Sequence, residues 1–491
     1  MPDDASRSRS NRSRQQGTHH DRPLGWGKTR EMNAIEAMMW RGEADPRMRS
    51  TITSFGVLDC APEWDRFVDA CEWATRMAPR FRQKVVEPSF GLGTPRWVTD
   101  PEFDLHYHVR RIRAGGDATW RDAFESAEQF AMTPFDRARS PWEVLLIEGL
   151  PEGKAAIVIK LHHSTTDGMG ATQLFSEIYS SQREHNPHKP QPAAPSPEWV
   201  RPADLLRQQM REDAASGAAG IFKGAEGLFD LMRDPVSRVK EARELVESAG
   251  RVMSDGSVEG SPLLKERSMK WRFLALDMRF GDLRAAAKSV GGTLNDAFVA
   301  SLLGAFRLYH AKFGMEIESI PMAIPISIRK ENDPEGGNQF TGARFAGPVA
   351  IADPAERIRE IGEIVRNVRA EPAMDAMGLI APVISRLPAA ALGALSGQLT
   401  ASNDLQASNV PGFREDFYVA GAKLERVYGF GPLPGCATMI SMVSHGPLCC
   451  VGVNVDRAAV TDPEFFAQCL VDGFGEVLAL AEDSEPPVRR L

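Results

Sequence analysis

The run Ala155-Ala156-Ile157-Val158-Ile159-Lys160-Leu161 does most to limit what this chain can fold into. It is β-branched and nearly continuously apolar where a half-exposed strand would alternate, so it predicts a strand buried on both faces. Such a strand needs a packed layer on each side. Leu174, Phe175, Ile178 and Tyr179 then recur at helical spacing, giving strand, loop, helix as the local order. The fold class implied is α/β, of the mixed α+β kind.

A second half is built differently. Phe298, Leu302, Phe306 and Tyr309 share one helical face, and Thr293 and Asp296 have capping-box spacing at its start. Ile320, Met322, Ile324, Ile326 and Ile328 alternate strictly, which predicts a half-buried strand, and further strands are expected at 435–443 and 448–454. Between the halves, Pro187, Pro190, Pro192, Pro195 and Pro197 favour an extended, semi-rigid linker. Arg201 to Arg251 follows as polar amphipathic helices, interrupted by Gly and Ala around Ser216 to Gly220. A chain of 491 residues exceeds what one core usually serves. The division expected is a disordered tail at 1–30, a first lobe at 31–186, a linker and helical crossover at 187–266, and a second lobe at 267–491.

A formal net charge of -8 argues against broad binding to a nucleic-acid backbone, while leaving room for a local basic pocket for one anionic ligand. The six cysteines form no CxxC pair and no zinc spacing, which suits a reducing, intracellular compartment. Met1 to Arg14 lacks the apolar stretch of a secretory signal and is expected to be a solvated tail. The longest apolar stretch, Met377 to Leu395, is broken by Pro382, Arg386 and Pro388. It falls short of a membrane span but suits a helix in the membrane interface or along an apolar channel, or a buried helix pair.

Chemistry concentrates in Leu161-His162-His163-Ser164-Thr165-Thr166-Asp167-Gly168, directly after the buried strand. A strand end is a rigid mount, and an imidazole with an ordinary pKa near 6.5 accepts a proton at neutral pH. An alcohol attacking a carbonyl needs such an acceptor, worth roughly 10² to 10⁴ in rate. Asp167, four residues after His163, is placed to fix the loop, and Gly168 is expected to supply backbone freedom. Each feature alone has a structural explanation; HHxxxDG after an apolar strand is more specific than its parts.

The motif resembles that of the HHxxxDG acyltransferases, which share the chloramphenicol acetyltransferase-like fold. Within them the chain is most similar to the bacterial wax ester synthase/diacylglycerol acyltransferase family. Phe103-Asp104-Leu105-His106-Tyr107-His108-Val109 and Pro141-Trp142-Glu143 resemble family elements before the motif. Gly291 to Ala300, Pro325 to Arg329 and Gly336-Gly337-Asn338 resemble elements after it, and Ser408-Asn409-Val410-Pro411-Gly412 matches "SNVPG" outright. Ser140, Phe413 and the stretch Met32 to Trp40 depart from the pattern, which bears on substrate preference.

The resemblance implies two lobes with an active-site tunnel between them. It implies transfer of a long-chain acyl group from acyl-CoA, a substrate and not a cofactor, to a lipid hydroxyl: diacylglycerol, a fatty alcohol or both; the alternatives are a polyketide or glycolipid hydroxyl as acceptor, or a lipid-binding relative without turnover. His163 would be the base, His162 a support, and Asp167 the residue that holds the loop, through an arginine not identifiable from sequence. Gly168, Asn295, Asp296, Ser408 and Asn409 carry over as substrate-side residues, although capping explains Asp296 equally well and a plain turn explains Ser408 and Asn409 nearly as well. No GxSxG nucleophile motif is present, in keeping with direct transfer. The implied setting is cytoplasmic, with peripheral contact at the inner membrane face or a lipid droplet. A metal site built from His106, His108, His162 and His163 is disfavoured, because two adjacent histidines rarely share a metal with two from another strand.

Overall fold

The computed structural model describes residues 23–215, 259–327, 340–370, 403–481 and 488–491. The segments around Ser216 to Gly220, Gly336 to Asn338 and Met377 to Leu395 lie outside the described residues, as do Met1 to Arg14.

The first half contains α1 (Ala34–Gly42), β1 (Thr51–Leu58), α2 (Trp64–Met77), β2 (Gln83–Val86), β3 (Arg96–Thr99), α3 (Leu105–His108), β4 (Val109–Arg113), α4 (Trp120–Met132), β5 (Trp142–Glu148), β6 (Ala155–His162), α5 (Gly168–Ile178) and α6 (Pro202–Ala215). The second contains β7 (Trp271–Arg279), α7 (Phe280–Ser289), α8 (Leu294–Lys312), β8 (Ser319–Ser327), β9 (Phe340–Pro348), α9 (Pro354–Ala370), β10 (Leu405–Phe413), β11 (Tyr418–Val419), β12 (Ala422–Phe430), β13 (Thr438–His445), β14 (Leu448–Asp456), α10 (Pro463–Leu478) and β15 (Arg489–Arg490). The strands form a six-stranded sheet in the order β11-β12-β1-β6-β5-β4 and a seven-stranded sheet in the order β15-β7-β14-β13-β10-β8-β9. β2 and β3 make a small hairpin apart from both.

β6 runs antiparallel between β1 and β5, and all eight of its residues are buried. Ile157, Ile159 and Leu161 join Phe67 and Phe81 on one face, while Ala156 and Val158 join Phe55 and Phe124 on the other. Lys160 interrupts the run without breaking it. It is fully buried, but its Nζ lies 2.8 Å from the Glu143 carboxylate on the adjoining strand and over the Phe130 and Phe135 rings. A buried charge is tolerated here because it is paired.

The two sheets are laced together. β10 and β13 belong to the second sheet, yet the intervening β11 and β12 cross over, and β12 pairs antiparallel with β1. Phe430 of β12 stacks on Phe273 of β7 with ring centroids 4.0 Å apart, inside a core that also holds Phe55 and Phe124.

Several expectations need correction. Residues 24–30, placed in the disordered tail, are packed: the Leu24 amide donates to the Met77 carbonyl, Trp26 is buried, and the Arg30 carbonyl accepts from the Trp97 amide. The proline-rich stretch opens with a turn and packs on α2, where Trp73 Nε1 donates to the Pro190 carbonyl at 2.9 Å and Arg76 donates to the Pro192 carbonyl. His106 and His108 lie on the single turn of α3, not on a strand, and His108 is a core residue, stacked on Trp142.

Candidate active site

The last residues of β6 stay bonded to the segments on either side before the chain turns. The His162 amide donates to the Pro141 carbonyl and the His163 amide to the Ser50 carbonyl at 2.8 Å. His162 then caps a single 3-10 turn, His163–Thr165, its Nδ1 accepting from the Ser164 amide at 3.0 Å. That places the ring proton of His162 on Nε2. The ring is fully buried, edge-on to Trp40 at 5.1 Å.

Asp167 starts the following helix. Its side chain accepts from the Gly170 amide at 2.7 Å, which satisfies one of the open donors of α5 and sets a carboxylate at the positive end of the helix. From Leu161 to Asp167, six of seven residues are buried; the exception is His163, which is half-buried. The turn thus presents one imidazole and encloses the groups that hold it.

Gly168 does not need the backbone freedom expected of it, since its φ is not in the left-handed region. It is glycine because a Cβ there would lie 2.9 Å from Val410 Cγ2. That close approach seats the first turn of α5, from the first lobe, against β10 of the second. SNVPG is accordingly strand rather than turn: Ser408 and Asn409 pair with Ser441 and Met442 of β13, and the register slips between Val410 and Phe413 at Pro411 and Gly412. A Cβ at Gly412 would overlap the Ser444 carbonyl oxygen, and the Gly412 amide donates to Ser444 Oγ. The start of α5 and Val410 of β10 therefore meet at the seam of the lobes, two and one residues along the strand from Ser408 and Asn409.

Asn295 and Asp296 sit on the first turn of α8, which packs with α7, α9, α10 and β10. Thr293 and Asp296 form the predicted capping box: the Asp296 amide donates to Thr293 Oγ1, and the Thr293 amide donates to Asp296 Oδ2 at 2.9 Å. The Asp296 carboxylate is buried in this cap. Asn295 is half-buried.

Comparison with known proteins follows the same outline. The sequence pattern of the wax ester synthase/diacylglycerol acyltransferase catalytic domain matches residues 29–298, and that of the WS/DGAT C-terminal domain matches residues 336–477. The chain belongs to the wax ester synthase/diacylglycerol acyltransferase family. Among relatives, a Mycobacterium tuberculosis protein provisionally named diacylglycerol O-acyltransferase is 43% identical over 462 residues, covering 93% of this chain and 94% of its own. A second from that organism, with the same provisional name, is 30% identical over 439 residues and covers 84% of this chain. The solved wax ester synthase/diacylglycerol acyltransferase of Marinobacter aquaeolei superposes with a TM-score of 0.64 at 19% identity, covering 92% of this chain and 99% of its own. The first condensation domain of the CDA synthetase superposes at 0.53 with 14% identity, covering 94% and 99%, and shows the shared two-lobed fold. As a member of this family the chain is an acyl-CoA-dependent O-acyltransferase.

In this acyltransferase one residue at the site escaped the sequence reading. Glu43, at the carboxyl end of α1, has its Oε1 3.4 Å from His162 Nε2, and that same oxygen accepts from the Ser50 amide at 2.6 Å. Ser50 in turn holds the His163 amide, so one carboxylate braces both histidines. Burial alone would raise the Glu43 carboxyl; the facing His162 ring and the Ser50 amide outweigh it and hold it below the usual carboxylate range. The only local signal was an acid following an amphipathic helix, which is ordinary. Among the described residues no cluster of His, Cys, Asp or Glu is placed to hold a metal, and no helix is long and apolar enough to cross a membrane.

Proposed function

We propose that the acceptor is a lipid hydroxyl, diacylglycerol or a fatty alcohol, and that His163 is the general base. The observation that carries this reading is that His163 alone among Leu161 to Asp167 is accessible, at a turn packed on the second lobe. The acceptor hydroxyl donates its proton to the imidazole as its oxygen attacks the thioester carbonyl. The tetrahedral adduct collapses, the C–S bond breaks, and the imidazolium returns the proton to the departing sulfur. No acyl-enzyme forms, and the reaction asks for no metal or cofactor.

His162 and Asp167 act by holding the turn. Asn295, Ser408 and Asn409 supply polar contacts from the second lobe, whereas Asp296 serves its helix cap. The setting we propose is the cytoplasm, where a water-insoluble acceptor calls for peripheral contact with the inner membrane face or a lipid droplet.

The test is thiol release from palmitoyl-CoA by purified protein, with diacylglycerol and hexadecanol side by side. Release that depends on an acceptor is expected, and the faster acceptor identifies the preferred product. Equal release with no acceptor would make the protein a thioesterase and overturn the reading.

A further inference from the structure

The three most exposed large apolar side chains among the described residues are Trp199 at 79%, Phe90 at 78% and Met210 at 59%. They belong to two segments that pack on each other. Phe90 tips the loop between β2 and β3, while Trp199 and Met210 lie just before α6 and on it. α6 touches the turn at 89–91, the Thr94 amide donates to Gln209 Oε1 at 3.2 Å, and the Thr99 amide of β3 donates to Glu198 Oε2 at 2.8 Å. Phe90 has a φ of 61°, a left-handed backbone that a bulky side chain rarely adopts. Strain of that kind persists where the surroundings fix it, and here it holds an aromatic ring out in solvent. Water gives no reason to gather three such groups, whereas a boundary between water and lipid favours them.

A cavity of about 560 Å³ lies beside the same loop, within the roughly 300–1,000 Å³ of an ordinary ligand site. Gly91, next to Phe90, and Pro202, the first residue of α6, line it together with Trp40. Its charged lining is Arg41, Lys84 and Arg137 against the carboxylate of Glu87, a cationic balance in a chain of net charge -8. Arg41 is paired with Glu87 at 2.8 Å and Lys84 with Asp100 at 2.9 Å. Arg137 has no such partner. Its Nη2 donates to the Trp40 carbonyl at 2.6 Å and its guanidinium lies over the Trp40 ring, but among the described residues no carboxylate comes within ion-pair distance. A guanidinium with donors to spare is the side chain best suited to grip a phosphate.

We propose that this face is where the enzyme meets a phospholipid surface: Phe90, Trp199 and Met210 enter the interfacial layer, and Arg137 takes the phosphate of an anionic headgroup. The proposal rests on the peripheral contact proposed above and not on the transfer chemistry. It gives that contact a direction. Trp40 lines the cavity and its ring also meets His162 edge-on at 5.1 Å, so the docked face is one side chain away from the motif turn.

Partition of the full chain onto vesicles, with no substrate present, tests the assignment. Wild type should bind vesicles of phosphatidylcholine with about a third phosphatidylglycerol at least about fivefold better than phosphatidylcholine alone, since one cation near an anionic surface is worth roughly that much. Arg137→Gln should erase most of the preference, and Arg137→Lys should restore part of it. Phe90→Ser with Trp199→Ser should lower partition about tenfold or more on both vesicle types, because burying each ring in the interface contributes on that scale. Both rings are exposed, so the double variant should keep the wild-type melting curve and the wild-type rate with a water-soluble alcohol as acceptor.

Wild-type partition by the double variant overturns the surface. A phosphatidylglycerol preference that survives in Arg137→Gln, or that free CoA abolishes in wild type at matched ionic strength, overturns the headgroup assignment; the second result would make the cavity a site for a soluble phosphate ligand. A protein that transfers acyl groups but binds neither vesicle overturns the surface and leaves the acyltransferase reading standing. Binding that follows these variants in a protein without transfer does the reverse.

Discussion

Two helices begin alike in this molecule. α5 is capped by Asp167 in an Asp-Gly pair, and α8 by Thr293 with Asp296 in an Asn-Asp pair, each carboxylate near the positive end of its helix. They differ in what precedes them. Before Asp167 comes a turn of buried side chains with one accessible imidazole, braced by Glu43 through His162 and Ser50. Before Asp296 come Gly291 and Gly292, with no titratable group. The same capping chemistry holds the turn that presents the proposed base in the first lobe and only starts a core helix in the second. An aspartate within a recognisable motif is thus evidence for a held turn; chemistry requires the group that the turn presents.

The comparison breaks if equal lesions have equal effects. Asp167→Ala should lower kcat about a hundredfold, since a misplacement of about 1 Å costs that much, and should remove about 1 kcal/mol of stability with the cap. Glu43→Gln keeps an acceptor for the Ser50 amide but loses the charge facing His162. Its kcat should fall about tenfold, with KM for palmitoyl-CoA unchanged, and Glu43→Asp should recover part of the loss. Unaltered kcat in Glu43→Gln would reduce that residue to packing. Asp296→Ala should cost about the same 1 kcal/mol as Asp167→Ala in chemical denaturation yet leave kcat within about twofold. A hundredfold loss there would put Asp296 in the chemistry and erase the contrast.

A pH experiment sharpens the difference between the lobes. Burial pushes the Asp404 carboxyl, at the entry to β10, up to about 6, although the Ser261 amide and Arg267 favour its ionised form. The folded state therefore binds that proton more tightly than the unfolded chain, and stability should fall as pH rises from about 4 to about 6, by up to about 3 kcal/mol. Glu43 has the opposite sign: its stabilisation is present above the ordinary carboxylate pKa and is lost as pH falls through its lowered value. Denaturation midpoints of Asp404→Asn should lack the decline between pH 4 and 6, and a wild-type-like decline would rule Asp404 out as its source.

β6 was legible because burial on both faces leaves an uninterrupted apolar run, and α8 because its capping box and apolar face are local. The candidate catalytic turn was legible as a motif at a strand end. Glu43 was not, because its partner His162 lies over a hundred residues away and nothing local marks a carboxylate that will meet an imidazole. The crossing of β12 into the first sheet left no trace in its own sequence, since an alternating strand does not say which sheet it joins. Ser408 and Asn409 were open to a turn reading through Pro411 and Gly412; the structure uses those residues for a slip in strand register, where the missing proline amide and the absent Cβ are both accommodated. Gly168 was expected to be glycine for its backbone freedom and is glycine for a close approach to Val410, which cannot be seen from one segment.

The most direct measurement is acceptor-dependent CoA release by His163→Ala beside wild type, with the variant's melting curve as a control for folding. A folded variant slowed by about 10² to 10⁴ is the expected result. A folded variant within about threefold of wild type would contradict the assignment of His163 as the base.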